Sequence, residues 1–272
     1  MNILITDSKQ FIGRHLVEHL KNIKKGKDNS HPGLVIDNIW EITPYIAPKM
    51  LAFYCAKTDF VFHLEGIIRP TEELSKYSFG FSSLLLDTLR KCNNNCPIML
   101  LSSTLSTLYG RYGESEYCKY KKEGEDLFFS YGKEVGAKIL VYRIGNLFGK
   151  WSNPNFKNVI ATFCFHIAND KPYYVSNRNI TFELVYIENL ITELLDSMVG
   201  NEHRCSYKEV TRFPNIKGQY CYVPISYEVT LGQVEDYLKL FHFNSKGLVL
   251  SKIAKDIFAK ELYETYQSYL PN

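Results

Sequence analysis

Through the first half of the chain, short continuous apolar runs alternate with stretches whose apolar positions recur every three or four residues. Ile3-Leu4-Ile5-Thr6 is the first run, and residues 11–20 follow it at helical spacing. A polar connection over residues 22–33 leads to a second strand within 34–42. Residues 59–64, 97–103 and 138–143 read as the third, fourth and fifth strands, with helices over about 79–91 and 116–135. Runs this apolar, alternating with helices, predict a parallel sheet covered on both faces. The fold class is therefore α/β, a doubly wound parallel sheet.

After Gly149 the alternation loosens, and Pro154, Pro172, Pro214 and Pro224 punctuate shorter elements. Thr230-Leu231-Gly232-Gln233 carries the Thr-x-x-Gln capping box and opens a helix toward Phe241. Neither a repeat nor a low-complexity linker separates the halves. The expected organisation is a dinucleotide-binding part over 1–149 and a smaller substrate-binding part over 150–272, folded onto it as one compact unit.

Composition narrows the partners. The chain has 272 residues, and 32 Lys+Arg against 29 Asp+Glu leave a formal charge of +3, too little for a nucleic-acid surface. The longest apolar run falls short of the ~18 residues of a membrane span, and Met1 leads straight into a strand rather than a signal peptide. No membrane partner and a cytoplasmic location are expected. Seven scattered cysteines, an odd number, predict free thiols; Cys92 and Cys96 form the one close pair and complete no zinc set, so no metal is expected.

Two constellations carry chemistry. The loop Thr6-Asp7-Ser8-Lys9-Gln10-Phe11-Ile12-Gly13 stands between the first strand and its helix, where a dinucleotide-binding unit places three glycines. Gly13 is the third; Asp7 and Gln10 stand in the other two places. The second constellation is Ser102-Ser103-Thr104 at a strand end, followed by Tyr117 and Lys121. Tyr and Lys four apart share a helix face, so the ammonium favours the ionised phenol, and a hydroxyl from the strand end can hold the same substrate oxygen. The 20 tyrosines give one other Tyr-x-x-x-Lys match, Tyr45 to Lys49, but Pro44 and Pro48 flank that tyrosine.

These residues, with Asp59-Phe60-Val61-Phe62-His63-Leu64-Glu65-Gly66 and Arg143-Ile144-Gly145-Asn146-Leu147-Phe148-Gly149, resemble the extended short-chain dehydrogenase/reductase family, whose sheet is Rossmann-like. Within it, Asn146 to Trp151, Pro154-Asn155, Val159 to Cys164 and the terminal Leu262 to Pro271 resemble the capsular-polysaccharide nucleotide-sugar reductases. The resemblance implies an NADPH-dependent reductase, with NADH possible, acting on the 4-keto group of a UDP-2-acetamido-2,6-dideoxy-hexos-4-ulose. It implies Tyr117 as proton donor, Lys121 beside it, and Thr104 or Ser103 on the carbonyl. Cofactor-binding positions are Thr6, Lys9, Phe11, Ile12, Gly13, Leu64, Gly66 and Ser102, with Tyr117 and Lys121. Asn146, Asn158, Lys157 and Arg178 are candidates for the substrate's sugar or diphosphate, and Trp151, Tyr173 and Tyr174 for stacking or for filling a lid. His63, on an apolar strand, reads as a packed core histidine.

The departures from the family pattern matter equally. Asp7 and Gln10 replace glycines and Glu65 replaces alanine, so cofactor binding is expected to be loose. Tyr112-Gly113-Glu114-Ser115 copies the family's tyrosine motif, yet Glu116 stands where lysine belongs, which keeps Tyr112 as the competing assignment. Longer members of the group continue into a C-terminal cupin domain; the expectation here is a reductase without it. Asp37 is a carboxylate for the cofactor ribose only if the second strand ends early, and with Lys9 in the loop the reading leans to NADPH. Residues 79–91 offer Phe79, Phe81, Leu84, Leu85, Leu86 and Leu89 to a homodimer interface. The alternatives are a nucleotide-sugar 4-epimerase or dehydratase with tightly held NAD, and a non-catalytic binding or scaffold subunit.

Overall fold

The computed structural model describes residues 1–64, 72–103, 116–154, 158–175, 177–208, 211–244 and 246–271, with the side chains of 72–79 and 116–117 left aside. The elements follow in the order β1 (Asn2–Thr6), α1 (Phe11–Lys24), β2 (Asn38–Ile42), α2 (Pro48–Cys55), β3 (Phe60–His63), α3 (Glu72–Lys91), β4 (Ile98–Ser103), α4 (Glu116–Val135) and β5 (Ile139–Ile144). Then come β6 (Asn146–Phe148), α5 (Val159–Ala168), β7 (Thr181–Tyr186), α6 (Ile187–Met198), β8 (Arg204–Lys208), β9 (Thr211–Pro214), β10 (Tyr220–Cys221), β11 (Tyr227–Thr230), α7 (Leu231–Phe243), α8 (Lys246–Lys252) and α9 (Ile257–Gln267).

The chain divides into two units, each described by itself. The first comprises Met1–Ile144 and Ile191–Val223 and holds an eight-stranded sheet of order β2-β1-β3-β4-β5-β10-β8-β9. From β2 to β10 all neighbours are parallel, and β8 and β9 close the edge antiparallel. This is the doubly wound, Rossmann-like α/β architecture that the alternation predicts. Burial explains the apolar runs: β3 and β5 are buried along their whole length, with Phe60, Val61, Phe62, Leu140, Val141 and Tyr142 at 1% exposure or less.

Two boundaries differ from the expectation. The second unit is Gly145–Leu190 with Pro224–Asn272, built on a three-stranded sheet β11-β7-β6, so the division falls at Gly145 and residues 191–223 return to the first unit. A buried polar cluster holds the returning segment. The Tyr142 hydroxyl donates to Glu193 Oε1 at 2.8 Å, and His203 meets the same carboxylate through its backbone N–H at 2.8 Å and Nδ1 at 2.7 Å. The strand that returns, β10, is two residues long, too short to leave a periodic signal. The helix read over 79–91 begins at Glu72, and four of its six apolar candidates for a dimer face, Phe81, Leu85, Leu86 and Leu89, are core residues at 4% exposure or less. Among the described side chains Leu84 alone of that set is exposed.

Thr230 opens α7 as the sequence predicts: its hydroxyl accepts from Gln233 N–H at 3.1 Å, and Gln233 Oε1 accepts from Thr230 N–H at 2.7 Å. All seven cysteines are free, and all but Cys92 are buried. Among the described residues no helix is long and apolar enough to cross a membrane, and no cluster of three His, Cys, Asp or Glu could hold a metal ion.

Candidate active site

In a sheet ordered β2-β1-β3, the connections leave β1 in opposite directions, and such a switch point opens the ligand crevice at the carboxyl ends of the strands. Thr6 and His63 end the two strands there. The buried Thr6 hydroxyl accepts from Leu64 N–H at 3.1 Å and lies 3.3 Å from His63 Nδ1; His63 Nε2 lies 2.9 Å from Ser82 Oγ. Burial, aided by the positive charge of Lys121, pushes the His63 pKa down to about 3, so the ring is a neutral bridge between β1, β3 and α3. Thr6 thus ties two strand ends together, and the packed-core reading of His63 fits its surroundings.

The loop after β1 keeps the dinucleotide-binding form with other residues. Asp7 has φ of 55°, the left-handed region that glycine occupies without strain. Its N–H donates to Ile42 O at 3.2 Å, and its carbonyl accepts from Gln10 N–H at 3.2 Å. A Cβ on Gly13 would lie 2.5 Å from Ser8 Cα and 2.7 Å from Asp7 O, so helix and loop pack as closely as only glycine permits. Gln10 makes no side-chain cap on α1, and the first turn carries no acid. The residues present therefore fit a dinucleotide: the positive end of a 14-residue helix, with its first N–H groups uncapped by a side chain, faces the sheet's carboxyl edge. Against this stands the Asp7 carboxylate, whose pKa is raised by desolvation. Lys9 is exposed, Phe11 packs edge-on against His15 at 5.5 Å, and Ile12 is a core side chain at 3% exposure.

The carboxylate beside the carboxyl end of β2 is Glu41, a residue the sequence reading passed over. Asp37 lies at the other end of that strand, bound to the amino terminus at 2.8 Å. Lys21 Nζ pairs with Glu41 at 2.8 Å. Burial raises the Glu41 pKa, but hydrogen bonds from Lys21 and Ser8 outweigh it and hold the group below the usual carboxylate range.

Tyr117 and Lys121 lie on α4, which joins the parallel strands β4 and β5 and so runs against them, with its amino end at the carboxyl edge. One turn beyond Lys121, Glu125 is fully buried. It accepts from Ser102 Oγ at 2.6 Å and from Arg143 at 2.9 and 2.6 Å, so Glu125 lies on the face turned to the strands, and positions 121 and 117 precede it along the helix by four and eight residues. The Ser102 hydroxyl is bound to Glu125, and Ser103, partly exposed, is the last residue of β4. Thr104, Gly66, Tyr112 and Lys157 lie outside the described residues, as does the Tyr117 side chain.

The second unit holds the remaining candidates. Asn158 caps α5: its Oδ1 accepts from Ala161 N–H at 3.0 Å, and its Nδ2 donates to Leu147 O at 2.9 Å and Ser152 Oγ at 2.7 Å. Arg178 binds Glu235 and, at 2.7 Å, Asp236, while Tyr173 donates to Glu235 at 3.1 Å. Asn146, the first residue of β6, and Tyr174 are exposed, and Lys150 lies over the Trp151 ring at 4.4 Å.

Comparisons with known proteins bear on this arrangement. No protein-family model matches the chain. A UDP-2-acetamido-2,6-beta-L-arabino-hexul-4-ose reductase of Pseudomonas aeruginosa is 27% identical over all of this chain and 65% of its own length. The capsular polysaccharide assembling protein CapF of Staphylococcus aureus is 30% identical, with a TM-score of 0.74, over all of this chain and 65% of its own. The chain thus spans about two-thirds of the length of these two relatives. The Thermus thermophilus UDP-glucose 4-epimerase, solved with NAD, is 15% identical and shares the fold over 99% of both chains, with a TM-score of 0.70. Over its whole length this chain is thus similar in sequence to that reductase and to CapF, and it shares its fold with the epimerase.

Proposed function

We propose that the chain is an NADPH-dependent reductase of the 4-keto group of a UDP-2-acetamido-2,6-dideoxy-hexos-4-ulose, in the synthesis of a deoxy-amino sugar for a polysaccharide. The observation that carries this reading is Lys121, one turn before buried Glu125 at the carboxyl edge of the sheet, with its charge felt by His63 beside the dinucleotide loop. When bound, the nicotinamide supplies a hydride to the ketone carbon. Tyr117 gives its phenolic proton to the ketone oxygen, and the two transfers complete a two-electron reduction to the alcohol. Lys121 favours the phenolate left on Tyr117, and Ser103 or Thr104 donates a hydrogen bond that orients the carbonyl. NADPH rather than NADH is supported by Glu41 being taken by Lys21, with Lys9 close by, so that the two ammonium groups outnumber the one carboxylate.

Asn146, Lys157 and Arg178 are the residues proposed to meet the sugar or diphosphate. Pairing of two copies through α3 and α4 belongs to the same reading; light scattering showing a monomer at micromolar concentration removes it. A second reading, a binding subunit without turnover, is favoured by the Asp7 carboxylate in the phosphate loop. Titration of purified protein with NADPH and NADH, followed by turnover of the 4-keto sugar, decides among these. Reversible NADPH binding with turnover supports the reductase, retained NAD means an epimerase or dehydratase, and no dinucleotide binding means a scaffold.

A further inference from the structure

We infer that Glu125 is a positioning residue for the Tyr117–Lys121 pair: gripped by Arg143 and Ser102, it fixes where α4 lies along β4 and β5, and with it the Lys121 ammonium. This rests on the reductase reading above. The grip is of a kind that apolar packing does not supply. Phe128 and Tyr131, farther along α4, are buried, but apolar contacts tolerate small slides of a helix over a sheet. A doubly hydrogen-bonded charge pair does not, because its partner geometry is set by the planar fork of the guanidinium.

Arg143 is itself immobilised. Its guanidinium lies 3.7 Å over the Tyr220 ring and 5.0 Å from that of Tyr207, and it donates to the Tyr220 hydroxyl at 2.9 Å. Glu125 has both oxygens engaged, Oε1 by Ser102 and Arg143 Nε, and Oε2 by Arg143 Nη2. The contacts therefore reach from β4 and β5 into one turn of α4. Stability alone does not call for such a pair, since apolar side chains of similar volume serve a buried site as well or better. What the ion pair adds is one defined position. Lys121 stands four residues, about 6 Å of helix rise, before it, so any slide or roll of α4 is carried to the ammonium.

The experiment keeps the charge and changes the reach. Glu125→Asp draws the carboxylate back by one methylene, and Arg143→Lys keeps a cation but removes the fork. Tyr117 is titrated by NMR in protein carrying 13Cζ-tyrosine, its signal assigned with Tyr117→Phe, and Lys121→Ala sets the scale of losing the ammonium. In both reach variants the Tyr117 titration moves up by about one pH unit, in the direction of Lys121→Ala. With the 4-keto sugar, kcat falls about ten- to a hundredfold while KM changes less than about twofold. A merely structural role lowers thermal stability and leaves the Tyr117 titration and kcat where they were, and that result in either folded variant overturns the inference. So does a Tyr117 titration that Lys121→Ala does not move. A wild-type protein that turns over no 4-keto sugar, yet whose Tyr117 titration shifts in Glu125→Asp, refutes the reductase reading and leaves the positioning role standing.

Discussion

Asp7 is the residue whose replacement tests the cofactor loop most directly, because the structure separates its two costs. Its φ of 55° is a backbone cost, about 1 kcal/mol for a side chain in the left-handed region. Glycine removes that cost but adds about 0.5–1 kcal/mol of chain entropy on folding, so the two nearly cancel. Its charge is the second cost. A carboxylate about 6 Å from a phosphate in partly screened surroundings loses about 1 to 3 kcal/mol of binding, ten- to a hundredfold in affinity. Asp7→Asn keeps a side chain that tolerates the left-handed region and removes only the charge, whereas Asp7→Gly removes both. The expected order of NADPH affinity, measured by calorimetry, is Gly at or above Asn, and both above wild type, with the gap narrowing at high salt. Stability has its own sign. The folded pKa of Asp7 is raised by desolvation, so its favourable contribution is present below the unfolded pKa and is lost as pH rises through the folded value. Both variants therefore gain stability over wild type at pH 7 relative to pH 4, which denaturant melts at the two pH values read. An Asp7→Asn protein that binds NADPH no more tightly than wild type at low salt refutes the reasoning, and places the carboxylate away from the phosphates.

Three further outcomes follow from the same geometry. Tyr117→Phe lowers turnover by about 10² to 10⁴ with nucleotide-sugar binding retained, and loss in Tyr112→Phe instead reassigns the proton donor. Asn158→Ala removes the α5 cap and costs about 1 kcal/mol or more in denaturant melts while leaving UDP-sugar affinity within about twofold; a large loss of affinity restores Asn158 as a substrate contact. His63 has its folded pKa depressed to about 3, so its contribution is present above the unfolded pKa and is lost as pH falls from about 6.5 toward 3; His63→Gln flattens that acid slope by a few kcal/mol.

How much of this was legible in the sequence depends on the kind of signal each feature leaves. β1, β3, β4 and β5 stood out because burial on both faces of a parallel sheet demands unbroken apolar runs, whereas the edge strand β2, half exposed, was placed only within 34–42; α4 and β4 fall within a residue of the expected bounds. The left-handed turn at Asp7 was legible as a missing glycine, since the loop's position after β1 fixes what backbone is needed there. The return of residues 191–223 to the first unit left no such trace. It rests on Glu193 meeting Tyr142 from 51 residues away, and on a strand of two residues.

Glu125 was half legible. The spacing of Tyr117, Lys121 and Glu125 by fours is written in the chain, but an acid on a helix rich in Lys and Glu has the look of a solvated face, and only its partners reveal burial. Arg143 was quoted as part of a motif with no role attached, for the same reason: the charge that holds it lies on another element, 18 residues earlier. The carboxylate at β2 was missed because the bounds of that strand were left open over residues 34–42. Asp37 draws the eye as an acid beside a strand, yet the pairing of Ile5 with Glu41 puts Glu41 next to the loop and Asp37 at the opposite end, beside Met1. Sequence pattern thus locates the elements and the lone chemical groups, whereas the choice among like groups is made by pairs whose two members share no local pattern.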